Sequence, residues 1–152
     1  FYKHHLTNEI MKFISMCGDF GMSWLIVILI TNMIDQTRTM SIDMLIALIA
    51  ATLIGQVTIK SLVRRKRPCH TYPEVQLLIT TPSDLSFPSG HTTSSFACST
   101  VMMLYNPILG IIGYIYAILT AISRLYLFVH YLSDVVTGVI LGITIGIITY
   151  LL

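Results

Sequence analysis

Five apolar runs, near residues 13–34, 42–63, 89–106, 108–129 and 131–152, decide what this chain can fold into. Each approaches the ~20 residues that a helix needs to cross a bilayer. Of the 152 residues, 55% are apolar and 11% charged, whereas a soluble domain carries about 25% charge. Such a chain cannot clothe itself with a water-compatible surface. The expectation is an all-α, polytopic transmembrane helix bundle of about five spans, or six in a longer full-length chain. Its length fits one domain, residues 1–152. The chain begins at Phe1 rather than Met, so a few leading residues are expected before it. The first apolar run is long enough to stay as a membrane helix rather than serve as a cleaved signal.

The connections carry helix-breaking residues. Asp35-Gln36-Thr37-Arg38 and Tyr105-Asn106-Pro107 make two short turns. Residues 64–88 form the one long connection, and Pro68, Pro73, Pro82 and Pro88 keep it from being a single helix. Within it, Val75-Gln76-Leu77-Leu78-Ile79 could lie in the interface as a short amphipathic piece. The net charge is only +2 and the basic residues are clustered, which excludes a nucleic-acid partner. Cys17, Cys69 and Cys98 have no metal-ligand spacing, and their odd number implies no disulfide framework.

The charged residues gather in three short patterns: Lys60 with Arg67-Pro68, then Pro88-Ser89-Gly90-His91, then Ser123-Arg124 with His130 and Asp134. Five spans would bring the end of the second, the start of the third, the end of the fourth and the start of the fifth to one membrane face. All three patterns then share that face. Lys60 and Arg67 lie seven residues apart, two helical turns, and fall on one side if the helix continues that far. Lysine offers phosphate a point charge and arginine a planar fork. Standing alone, this basic cluster would read as a headgroup anchor, and Arg64, Arg65 and Lys66 are assigned to that role. Ser89-Gly90-His91 opens a helical run, where free backbone N–H groups suit an anion. Ser89 can also act as an ordinary N-cap. His130 and Asp134 are one turn apart. A carboxylate on one ring nitrogen leaves the other free to act, although the same pair could simply cap the last helix. No pair of carboxylates has metal-ligand spacing, so no metal or other cofactor is expected.

Together the three patterns resemble the signature motifs of the type 2 phosphatidic acid phosphatase superfamily, over residues 60–134. The resemblance implies a membrane-bound lipid phosphatase with a catalytic set of His130, His91 and Asp134. His130 attacks phosphorus to give a phosphohistidine, and His91 protonates the leaving oxygen. It implies Lys60, Arg67, Ser89, Gly90 and Arg124 as the phosphate-binding set. Undecaprenyl diphosphate is the expected substrate, with phosphatidylglycerophosphate or phosphatidate as the alternative. Among the basic residues outside the proposed site, Lys3, Lys12, Arg64, Arg65 and Lys66 face Arg38 alone on the opposite side, and by themselves would put the site in the cytoplasm. The resemblance points instead to the extracytoplasmic face of the cell membrane, and that is the expectation adopted.

A proton-coupled transporter is the rival from another class. Its ionisable residues would be spread through the depth of several spans, whereas here they gather at one face. The remaining features read as structure. Gly138, Gly142 and Gly146 recur every four residues, a stripe suited to close helix contact inside the bundle or in a homodimer with a second copy. Trp24 and most of the eight tyrosines are candidates for an interfacial belt. Asp19 is expected near the mouth of the site without contacting substrate.

Overall fold

A computed structural model describes residues 4–152; Lys3, counted above among the basic residues, lies outside them. The described residues form helices and connecting turns, with no strand among them. Helix α1 (His5–Cys17) is followed by an elbow over Asp19–Gly21 and by α2 (Met22–Asn32). α3 (Arg38–Ala51) runs through a π-helical stretch, Thr52–Ile59, into α4 (Lys60–Val63). A single turn, α5 (Pro68–Thr71), interrupts the long connection before α6 (Gly90–Tyr105), α7 (Pro107–Tyr126) and α8 (Leu132–Leu151). Residues 75–79, the candidate interfacial piece, are not helical.

Three of these stretches are long and apolar enough to cross a membrane: Asp35–Thr71, Pro107–Tyr126 and Leu132–Leu151. The expected first span is a bent pair, His5–Cys17 and Asp19–Asn32, which meet at 53° and supply a fourth crossing if taken together. Gly18 and Gly21, flanking Asp19, break the run that the sequence reading had left continuous. The expected third span, around 89–106, is α6. Its 16 residues reach about 24 Å at 1.5 Å each, short of a ~30 Å hydrocarbon core. α6 is the central helix, packed between α7 and α8 and against α3.

The packing is inverted relative to a soluble protein. Thr92, Thr93, Ser95, Ser99 and Thr100 of α6 are buried, while Ile111, Ile112, Ile115, Ile118 and Ile122 of α7 are exposed. Small residues let the central helix approach its neighbours. A Cβ on Gly142 would meet the Thr93 carbonyl oxygen at 2.5 Å, and one on Gly146 would meet Thr100 Cβ at 2.6 Å. The stripe Gly138–Gly142–Gly146 is therefore packed against α6 of the same chain, the first of the two alternatives left open above. Trp24 is likewise no belt residue. It is buried, donates Nε1–H to Ser95 Oγ at 3.1 Å and meets Tyr116 edge-on. Tyr105 and Tyr150 do stay exposed, stacked edge-to-face at the far end of the bundle.

Candidate active site

Lys60 reaches the site through the π-helical stretch. Buried positions on this helix fall at Leu48, Ala51 and Gly55, and then at Lys60. The last interval is five residues, the repeat of a π turn, and a regular α-helix would have turned Lys60 away from the Gly55 side by about 140°. The helix ends at Val63, because Arg64 adopts φ 50°, ψ 35°. Lys60 and Arg67 thus do not share a helix face as expected. Arg67 arrives on extended backbone, as the N-cap of α5. The two cations meet instead through Asp84. Lys60 Nζ donates to one oxygen of Asp84 at 2.6 Å and Arg67 Nη2 to the other at 2.6 Å. Burial pushes the Asp84 carboxyl upward, but Lys60 and Arg67 outweigh it and hold it down at about 2.

Arg67 Nη1 also donates to the Val129 carbonyl and to His130 Nε2, each at 2.9 Å. A guanidinium has no acceptor, so Nε2 of His130 must carry the lone pair and Nδ1 the proton. Nδ1 faces Asp134 Oδ2 at 3.6 Å, too far for a hydrogen bond, and is buried without a hydrogen-bond partner. Burial pushes the His130 imidazole down to about 3, against the opposing pull of Asp134. His130 is therefore neutral at physiological pH, with its unprotonated nitrogen turned towards Arg67.

Asp134 is 0% exposed and serves several partners at once. It accepts the Tyr131 N–H at 2.9 Å, a hydrogen bond from Ser86 Oγ, and Arg65 Nη1 at 2.8 Å. It both caps α8 and faces His130, so the capping role does not exclude the other reading of the pair. Arg65, assigned above to the headgroups, stacks over the Tyr131 ring at 3.9 Å and belongs to this cluster.

Arg124, near the end of α7, is buried. Its Nη1 donates to Ser15 Oγ of α1, while its Nε has no partner. His91 Nε2 lies 2.9 Å from Asp19 Oδ1 in the elbow. Ser89 behaves differently from expectation. It is fully buried with its hydroxyl against Thr92 Oγ1 at 2.9 Å, and makes no side-chain cap.

A cavity of about 1500 Å³ joins these groups, lined at its polar end by Lys60, Arg67, Asp84, His91, Arg124 and His130. The wall reaches Gly90 and Ser94 but not Ser89. Leu25, Leu45, Leu48, Ile49 and Leu53 continue the lining as an apolar flank. Five of the contributors were not assigned a site role from sequence: Ser15, Asp19, Arg65, Asp84 and Ser86. For Asp84 a signal existed, as the only acid near Pro88-Ser89-Gly90-His91; for Asp19 it was the pair of flanking glycines.

Residues 41–152 match the PAP2 superfamily model. The chain belongs to that superfamily. It is 42% identical over 100 residues to a decaprenylphosphoryl-5-phosphoribose phosphatase of Mycobacterium tuberculosis, covering 59% of this chain and 49% of the relative. It is 32% identical over 136 residues to an undecaprenyl-diphosphatase of Sulfolobus acidocaldarius, covering 89% of this chain and 65% of that protein. The chain thus spans between half and two thirds of the length of these relatives. Among solved structures, that of Aquifex aeolicus LpxE aligns with a TM-score of 0.85 at 26% identity, over 97% of this chain and 87% of the other. The chain is an all-helical, multi-pass membrane member of that superfamily.

Proposed function

We propose that residues 1–152 form one metal-independent lipid phosphatase domain that works through a phosphohistidine. The observation that carries this reading is the cavity itself: three cations and two histidines at one end, an apolar flank at the other. A phosphate head occupies the polar end while the lipid tail follows the leucines towards the bilayer. Arg124 Nε, buried without a hydrogen-bond partner among the described residues, supplies a donor for an incoming anion. The phosphoryl group displaces the Asp84 carboxylate from Lys60 and Arg67. It also draws Arg67 Nη1 off His130, freeing the Nε2 lone pair.

His130 Nε2 then forms the bond to phosphorus as the bond to the leaving oxygen breaks. His91 gives its proton to that oxygen. In the second half, His91 takes a proton from water, the water oxygen bonds phosphorus, and the N–P bond breaks to release phosphate. Asp134 holds the Nδ1–H of His130 as positive charge develops on the ring. Lys60, Arg67 and Arg124 stabilise the equatorial oxygens, the largest contribution in reactions of this kind. The N–H groups opening α6 at Gly90 add to it. Ser89 supports this end from within rather than from the cavity wall.

The preferred substrate is undecaprenyl diphosphate, with phosphatidylglycerophosphate or phosphatidate as the alternative. The named activities of the two relatives, both on polyprenyl phosphates, support the first. Phosphate release by purified protein from these three lipids and from decaprenylphosphoryl-5-phosphoribose, side by side, tests it. Turnover should be fastest on undecaprenyl diphosphate and should persist in EDTA. A water-soluble phosphate ester hydrolysed as efficiently as any of the four would remove the role of the tail. Loss of activity in EDTA with recovery on Mg²⁺ would remove metal independence.

The site faces the outside of the cell membrane. Arg65, one of the basic residues that favoured the cytoplasm, is paired with Asp134 and so is less available to anionic headgroups. Cys69 is buried and unsuited to labelling, whereas Lys66 is exposed. Lys66→Cys should react with a membrane-impermeant maleimide in intact cells. Labelling only after lysis would reverse the assignment.

A further inference from the structure

We propose that the elbow between α1 and α2 is a working part of the active site and that Asp19 is the positioning residue for His91. The proposal rests on the reading of His91 as proton donor. The elbow precedes residue 41, where the match to the superfamily model begins, so the motif pattern gives it no role. The structure nevertheless ties α1 and the elbow to α6 and α7 at three points. Asn8 Oδ1 accepts the Tyr126 hydroxyl at 2.7 Å, Ser15 Oγ accepts Arg124 Nη1, and Asp19 Oδ1 accepts His91 Nε2 at 2.9 Å.

The backbone is shaped around the last contact. A Cβ on Gly18 would lie 2.7 Å from His91 Cδ2, so the imidazole sits against bare backbone there. Phe20 and Gly21 follow with φ 53° and 70°. The left-handed region is unfavourable for phenylalanine. Phe20 is 98% exposed, so packing of its own side chain does not account for the conformation. What the turn achieves is to bend the chain by 53° at Asp19, with that carboxylate in hydrogen-bond reach of His91 on α6.

The chemistry follows from which nitrogen is engaged. With Nε2–H held by Asp19, Nδ1 is the nitrogen that exchanges a proton with the leaving oxygen and later with water. The carboxylate fixes the ring plane and stabilises the imidazolium that must exist before the first transfer. Asp19 is 52% exposed and the His91 side chain 17%. Both residues line the cavity, through which the pair can exchange protons with water between turnovers.

The test compares Asp19→Asn and Asp19→Glu, each made alone and with His91→Ala. The substrates are phosphatidate, whose alkoxide leaving group needs a proton, and 4-nitrophenyl phosphate, whose phenolate does not. Asp19→Asn should lower kcat on phosphatidate by roughly 10- to 100-fold, with KM changed less than about twofold. In single-turnover formation of the phosphoenzyme, the step before water attacks, its loss on 4-nitrophenyl phosphate should stay under about threefold, and Asp19→Glu should recover most of the activity. In the His91→Ala background, Asp19→Asn should change nothing further. Equal losses on the two substrates in that first step, or an undiminished loss without His91, would show a merely structural elbow. If His91→Ala alone shows no dependence on the leaving group, the donor role of His91 fails and this proposal falls with it. If His91→Ala shows that dependence and Asp19→Asn does not, only the elbow proposal falls.

Discussion

His130 and His91 each meet one aspartate, but the two pairs are built in opposite ways. Asp134 is fully buried under hydrogen bonds from Tyr131, Ser86 and Arg65, and faces His130 at 3.6 Å. Asp19 is half exposed on a strained turn, with His91 as its one hydrogen-bond partner among the described residues. The first pair comes from adjacent turns of chain in the matched family region, the second from segments 72 residues apart. The contrast fits the two different tasks proposed for these histidines. A nucleophile must be held neutral in one tautomer, which calls for burial and a carboxylate that cannot move. A group that gives and regains a proton each cycle must stay near water. Redundant support is expected around the first histidine and single-point support around the second.

The widest test of this contrast removes the buried ring. His130→Ala should abolish phosphate release from every substrate by at least ~10⁴-fold, because no other side chain offers a nucleophilic nitrogen at Arg67. Phosphoenzyme trapped at steady state by an alkaline quench, which spares the acid-labile N–P bond, should vanish with it. Undiminished turnover would sink the phosphohistidine mechanism. By contrast, the effect of losing His91 should vary with the leaving group.

Asp134→Asn comes next. It keeps the shape but removes the negative charge that faces Nδ1–H and stabilises the ring as it becomes cationic, so kcat should fall by about 100- to 1000-fold. The bundle should persist, yet not unharmed. Hydrogen bonds to a charged group are worth about 1.5–3 kcal/mol, and Asp134 also caps α8 and anchors Ser86. A lower unfolding temperature in detergent should accompany the kinetic loss. Full activity at unchanged stability would mean that the carboxylate is a bystander.

A third carboxylate sharpens the distinction. Asp84 is 53% exposed, like Asp19, but it touches cations rather than a histidine. It occupies the place of an anion, and its charge persists at all pH values above about 2. Acidification within the working range therefore does not vacate the site; an incoming phosphoryl group must do so. Asp84→Asn should tighten inhibition by vanadate about tenfold, equivalent to ~1.4 kcal/mol, by removing the competing charge. Weaker inhibition would show that Asp84 chiefly holds Lys60 and Arg67 in position.

The motif residues were legible because side chains of the right type recur at fixed spacing on helix ends. Lys60, Arg67, Gly90, His91, Arg124 and His130 all line one cavity. The route to it was less legible. Two helical turns separate Lys60 from Arg67 only if the helix continues, and it stops at Val63. The π turn that aims Lys60 inward has no periodic signature in a run that is apolar on all sides. The supporting residues were invisible for a different reason. Arg65 with Asp134, Ser86 with Asp134 and Ser15 with Arg124 are contacts between distant segments, and no local pattern distinguishes Arg65 from an anchor beside Arg64 and Lys66. The Ser/Thr content of α6 was readable as sequence. That it marks a central helix rather than a lipid-facing span becomes plain only when α7 and α8 close over it.

The smallest expected effect bears on redundancy itself. Arg65 is one of three hydrogen-bond donors to Asp134 and is 37% exposed, so solvent screens much of its charge. Arg65→Ala leaves the Tyr131 N–H and Ser86 in place to hold the carboxylate towards His130. It should lower kcat only about two- to fivefold, leave KM for the lipid nearly unchanged, and leave the leaving-group dependence as in the wild type. Single-point support at Asp19 predicts the opposite ordering: a larger kcat effect from a more exposed residue. If Arg65→Ala proves as damaging as Asp134→Asn, the cluster acts as one unit and the redundancy is illusory. Measuring Arg65→Ala and Asp19→Asn together, on one lipid and one aryl phosphate, therefore decides whether the two histidines are held by different designs or by one.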